Sequence, residues 1–202
     1  MTRLPMMVDR FLALLGESAV SMTEPVLATD PNNQTSLVRR FNLKQDQSIT
    51  VFCPGAEFGD SKKWPESHYV SLGRELVNDG DQVWLLGGAG DQASALTIAA
   101  GIGYGCINLT GKTTILDAID LISLADRVVT NDSGLMHVAA AVGTRVIAIY
   151  GSTSPSFTPP LTDYAETVSL QLDCSPCFKR RCPLGHKDCL NKLSPDQVLS
   201  IL

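Results

Sequence analysis

The chain has 202 residues, 44% hydrophobic and 18% charged, with a formal net charge of −5 at pH 7. These values fit a globular protein with one sizeable core or two small ones. The acidic balance argues against a nucleic-acid-binding surface, and no apolar run approaches the ~20 residues of a membrane-spanning helix.

Met7, Phe11, Leu14 and Leu15 recur at helical spacing and predict an amphipathic helix within 1–16. The same stretch fails as a signal peptide because Asp9 and Arg10 interrupt it, so the expected compartment is the cytoplasm. Residues 17–47 are polar and rich in Pro, Asn, Gln and Thr, and read as a linker. From residue 48 the pattern changes to short apolar runs alternating with helical periodicity. Strands are predicted over 49–53, 82–86, 106–109, 127–130, 145–150 and near 167–172. Helices are predicted over 67–79, 91–100, 115–124 and 133–142, with a last one opened by Ser194-Pro195-Asp196. Strands that are apolar on both sides, separated by helices, imply a Rossmann-like α/β domain over 48–202. Its sheet is parallel, with helices on both faces. Ligands of such sheets bind where strands end and helices begin.

Four turns carry candidate chemistry. In Thr130-Asn131-Asp132-Ser133-Gly134-Leu135-Met136-His137 a strand enters and an Ala-rich helix leaves. Ser133 and Gly134 fall where helical N–H groups lack partners, a seat for a diphosphate. His137 shares that helix face. Asp132 would repel phosphate, so it serves backbone N–H groups or sugar hydroxyls; it is either an N-cap or a ligand contact, and His137 either a contact or a core residue. The loop Pro54–Pro65 carries Lys62 and Lys63, which meet either phosphate or solvent. Gly87-Gly88-Ala89-Gly90-Asp91 is a Gly-rich turn whose acid can hold a ribose diol, without a dinucleotide fingerprint. Gly151-Ser152-Thr153-Ser154 either lines the same cleft or makes a tight turn.

Six cysteines are present, and Cys174, Cys177, Cys182 and Cys189 are spaced C-x2-C-x4-C-x6-C in a loop at 174–189 that also holds His186. Four thiolates can close a tetrahedral structural zinc site; an iron–sulfur cluster or four unliganded thiols are the other readings. Cys53 and Cys106 are expected in the core.

The segments PGAEFGDSKKWPESHY, LLGGAGD and VTNDSGLMHVAAAVGTRVIAIYGSTSPSFTPP resemble the ADP-heptose:lipopolysaccharide heptosyltransferases, glycosyltransferase family nine, and most closely their type II branch. The Cys-rich segment is similar to one found in many of these sequences. The resemblance implies the C-terminal, donor-binding domain of a GT-B glycosyltransferase. It implies inverting transfer of L-glycero-D-manno-heptose from ADP-heptose to the heptose of the lipopolysaccharide inner core (heptosyl-Kdo2-lipid A). No cofactor is required for catalysis. By position, Lys62 resembles the lysine at phosphate and heptose, Asp91 the acid at the ribose, Thr113 a residue beside adenine, and Asp132 the heptose contact. Ser133, Gly134 and His137 continue that motif around the diphosphate. Family members are longer, and their general base lies in an N-terminal domain; no catalytic residue is assigned here. Residues 1–16 are then a remnant of that domain or a hinge, and contact with the cytoplasmic face of the inner membrane is peripheral at most. The residues themselves also allow a nucleotide-sugar-binding module that works with a separate acceptor domain, a GT-B enzyme using a UDP-sugar, or, more distantly, a zinc- or redox-sensing protein.

Overall fold

A computed structural model describes residues 6–14 and 24–202 of the chain. Six strands form one parallel sheet: β1 (Ile49–Cys53), β2 (Gln82–Leu85), β3 (Cys106–Asn108), β4 (Arg127–Asn131), β5 (Arg145–Tyr150) and β6 (Ala165–Ser169). Their order across the sheet is β3-β2-β1-β4-β5-β6. Chain direction along the sheet reverses between β1 and β4, which opens a crevice beyond their C-terminal ends.

The strands alternate strictly between two cores. Val51, Cys53, Val128, Val146 and Ala148 face one side, with α2 (Pro31–Phe41), α5 (Ile115–Ser123) and α6 (Gly134–Ala141). Phe52, Val83, Leu85, Val129, Ile147 and Ile149 face the other, with α3 (Glu66–Asn78), α4 (Gln92–Ile102), α7 (Asp188–Asn191) and α8 (Pro195–Leu199). Helices thus cover both faces, as the continuous apolar runs require. The crossover from β5 to β6, residues 151–164, contains no helix.

Two N-terminal readings are revised. α1 (Met7–Ala13) is shorter than the helix expected over 1–16 and buries none of its residues; Leu15 lies outside the described residues. Within the expected linker, residues 31–41 form α2. Asp30 caps it by accepting the Asn32 N–H at 2.8 Å, Pro31 occupies the first turn, and Leu37 is buried. The helix looks polar in sequence because its contacts with α5 are polar. Asn33 Nδ2 donates to Asp120 at 2.7 Å and to Asp117 at 3.1 Å, and Gln34 donates to Ser123 at 2.9 Å. The one-turn helix α7 had no signal in the periodicity. Cys53 is buried as expected, while Cys106 is half-buried on β3 with its thiol pushed up to about 12 by burial.

Candidate functional site

A cavity of about 520 Å³ opens at the C-terminal ends of the central strands, lined by the loops after β1, β2 and β4 and by α6. Behind its lining, Asn131, the buried last residue of β4, braces the loops around it. The Asn131 amide donates to the Pro54 carbonyl at 2.6 Å, and its oxygen accepts the Trp64 N–H at 3.1 Å and the Tyr69 hydroxyl at 3.3 Å. One buried side chain therefore ties the lysine-bearing loop after β1 to the strand that carries Asp132. Trp64 is itself buried, its indole donating to the Leu193 carbonyl at 2.9 Å.

Asp132 sits 5% exposed at the head of the crevice. Lys62 Nζ lies 2.6 Å from its Oδ2, and the Thr153 hydroxyl donates to the same oxygen at 2.6 Å. Lys62 stands in a short 3-10 turn, Asp60–Lys62, with its ammonium 4.9 Å from the Phe58 ring centroid. The second carboxylate oxygen, Oδ1, takes no part in these two contacts.

α6 starts at Gly134 beside this pair. Ser133 is its N-cap, but the Ser133 side chain makes no cap bond; its hydroxyl lies 3.2 Å from that of Thr130. The free N–H groups and positive end of the helix face the cavity where Ser133, Gly134, Leu135, His137 and Val138 line it. A Cβ placed on Gly134 would meet no protein atom within 4 Å, so a ligand can approach that backbone closely. Desolvation lowers the His137 pKa below the ordinary histidine value; Asp132 opposes the shift and Lys62 reinforces it. His137 is accordingly neutral at pH 7, an imidazole rather than a fixed cation.

The third wall carries Asp91. Its carboxylate accepts the Gly88 N–H at 3.1 Å and lies 3.8 Å from Lys63 Nζ. It packs against Gly55, where an added Cβ would collide with it, and less tightly against Gly87. Ile115, Leu135 and Val138 supply the apolar side of the cavity.

The profile of glycosyltransferase family 9 (heptosyltransferase) matches residues 2–188. The chain belongs to this family. It is 42% identical over 181 residues to lipooligosaccharide heptosyltransferase 2 of Haemophilus influenzae, covering 82% of this chain and 52% of that protein. It is 36% identical over 211 residues to lipopolysaccharide heptosyltransferase 2 of Escherichia coli, covering 98% of this chain and 61% of the other. The solved structure of E. coli ADP-heptose heptosyltransferase II superposes with a TM-score of 0.82 at 34% identity, over 97% of this chain and 60% of that one. The chain thus spans between half and two thirds of the length of these relatives.

In this family-9 chain, six of the seven donor-site residues expected from sequence line the one cavity: Lys62, Asp91, Asp132, Ser133, Gly134 and His137. Thr113 does not; it is half-exposed, and Ile115 lines the wall two residues on. Sequence reasoning missed Asn131 and Thr153 as organisers of Asp132. A polar residue closing an apolar strand was the available signal for Asn131; Thr153 lay in the 151–154 loop expected either at the cleft or in a tight turn, and its contact with Asp132 is made through the β4–β5 pairing.

The four clustered cysteines are brought to one place. Cys174, Cys177, Cys182 and Cys189, all free thiols, ring a small separate cavity together with His186. Among the described residues no three His, Cys, Asp or Glu side chains converge as a formed metal site. Residues 179–181 form an exposed basic run whose backbone is tied to the loop after β1. The Lys179 and Arg180 carbonyls accept hydrogen bonds from Ser61, and the Arg180 guanidinium lies 5.5 Å from the Phe58 ring centroid. No helix among the described residues is long and apolar enough to cross a membrane.

Proposed function

We propose that this chain is the donor-binding half of a heptosyltransferase. It would bind ADP-heptose for inverting transfer of L-glycero-D-manno-heptose to the heptose of the lipopolysaccharide inner core. The observation that carries this reading is the convergence of Lys62, Asp132, the N-terminus of α6 and Asp91 on one cavity at the β1/β4 switch point.

Each part has a matching chemical task. The α6 N-terminus and Lys62 hold the diphosphate, whose negative charge grows as its bond to the anomeric carbon breaks. Asp132, already committed to Lys62 and Thr153 through Oδ2, offers Oδ1 to sugar hydroxyls. Asp91 is placed for the ribose diol, and Ile115, Leu135 and Val138 for the base, in the role expected of Thr113. Neutral His137 can donate one hydrogen bond without adding charge. In the transfer an acceptor hydroxyl attacks the anomeric carbon from the face opposite the diphosphate, ADP leaves, and the hydroxyl proton passes to a base. No described residue is assigned that base, and the relatives' greater length supports a separate acceptor-binding domain that supplies it.

On this reading residues 48–202 are the donor domain, 1–16 belong to the hinge or acceptor side, and 17–47 connect them, with α2 docked on α5. Work on a lipid-linked acceptor places the protein at the cytoplasmic face of the inner membrane with peripheral contact at most. A structural zinc on the four cysteines would hold their loop, and no reaction step passes through it. The test is a transfer assay with ADP-heptose and heptosyl-Kdo2-lipid A. The expected result is no turnover by the chain alone and turnover once an acceptor-domain chain is added. Turnover by the chain alone would overturn the division of labour.

A further inference from the structure

The loop between β6 and α7 takes no part in the donor reading, yet it is built into the donor site's foundations. Cys174, Cys177, Cys182 and Cys189 line one cavity of about 20 Å³, closed on its far side by Ser61 and Ser152. That volume is close to what a single small occupant fills. His186 lines the same space, so four thiols and an imidazole surround it. The four cysteine side chains line the space without converging as a formed metal site.

We propose that these four cysteines bind one thiophilic divalent cation of the zinc type, and that its binding sets the geometry of the donor site. On binding, four sulfur–metal bonds form, and the protons of those thiols still protonated pass to buffer. The second half of the proposal rests on the donor reading; the first does not.

The route between the sites is short. Ser61 donates its hydroxyl to the Lys179 carbonyl and its N–H to the Arg180 carbonyl at 3.4 Å. Ser152 donates to the Ser61 hydroxyl at 3.0 Å, and its own carbonyl accepts the Phe178 N–H at 2.7 Å. The Ser175 hydroxyl donates to the Gly151 carbonyl at 2.5 Å. Ser61 immediately precedes Lys62 and Ser152 immediately precedes Thr153, the two residues that meet on Asp132 Oδ2. The cysteine loop therefore grips both arms of the Asp132 clamp through their neighbours, and a loop closed on a cation holds those arms more rigidly than an open one.

The test is titration of the reduced, full 202-residue chain with Co²⁺. The expected result is one equivalent bound, the visible bands of a tetrahedral cobalt–thiolate, four thiols protected from a disulfide reagent, and bleaching of the bands by Zn²⁺. Cys182→Ser and Cys189→Ser should each weaken the bands. ADP affinity is then compared for Zn²⁺-loaded and chelator-treated protein, with tightening of roughly tenfold expected on loading. Ser61→Ala should keep the cobalt bands and lose that difference. Absence of bands and of thiol protection in folded wild-type chain overturns the cation site, as does disulfide formation under the same conditions in its place. Equal ADP affinity with and without Zn²⁺ overturns the coupling. Cobalt bands with no ADP binding to either form would leave the cation site standing and overturn both the coupling and the donor reading.

Discussion

Lys62 and Thr153 end on one atom. The lysine ammonium and the threonine hydroxyl each lie 2.6 Å from Asp132 Oδ2, one reaching from the loop after β1 and the other from the loop after β5. The carboxylate just after β4 is thereby held by the loops that follow both neighbouring strands, and its other oxygen lies outside these two contacts. A nearly buried ion pair contributes little net stability, but removing one partner leaves a charge without compensation.

From this follows the first expectation. Thr153→Val removes one of the two contacts to Asp132 without removing the charge pair. It should cost about 1 kcal/mol in stability and weaken ADP-heptose binding several-fold, while Thr153→Ser stays near wild type. Urea denaturation and calorimetry on the three proteins check it.

Asn131→Leu should be the most damaging single substitution at the site. It strands the Trp64 N–H, the Tyr69 hydroxyl and the Pro54 carbonyl, all buried. A loss of ~3 kcal/mol or more is expected for three unsatisfied groups at this depth, visible as a lower denaturation midpoint with an unchanged slope.

Two glycines make an opposed pair. At Gly55 an added methyl runs into the Asp91 carboxylate, whereas at Gly134 it meets nothing. Gly55→Ala should therefore shift Asp91 and lower stability. Gly134→Ala should leave the denaturation midpoint unchanged and weaken nucleotide binding, because only a ligand uses that space. A Gly134→Ala protein that binds ADP normally would contradict the placement of the diphosphate on α6.

The pH dependence has a defined sign. His137 and His68 both have pKa values lowered by desolvation. A group whose folded pKa lies below its unfolded value contributes stability that is present above the unfolded pKa, about 6.5 for histidine, and is lost as pH falls through the folded one. Stability should thus decline from pH 7 toward pH 5, ahead of carboxylate titration. His68→Gln/His137→Gln should flatten that part of the curve in urea denaturation.

Much of this was legible in the chain. The apolar runs that became β1, β2, β4 and β5 are continuous because each faces two cores, and the same runs placed the turns after them where the cavity lies. Asp132 and Lys62 stood out because charge at a strand end must be paired or used. What could not be read were relations made by tertiary pairing. The polar surface of α2 looks like a linker until Asn33 and Gln34 meet α5. Thr113 and Ile115 occupy one turn, and only its path decides which lines the cavity. The cysteine spacing showed a cluster; that its loop clasps Ser61 and Ser152 is visible only in three dimensions.

The most direct test of the donor site is calorimetric titration of the chain with ADP-heptose and with ADP, on wild type and Asp132→Ala. The account predicts that wild type binds ADP-heptose more tightly than ADP by tenfold or more, as a charged hydrogen bond to the sugar would provide. It also predicts that Asp132→Ala loses that difference while remaining folded. Equal affinity of wild type for the two ligands, or a difference that survives in Asp132→Ala, would contradict the assignment of Asp132 to the sugar.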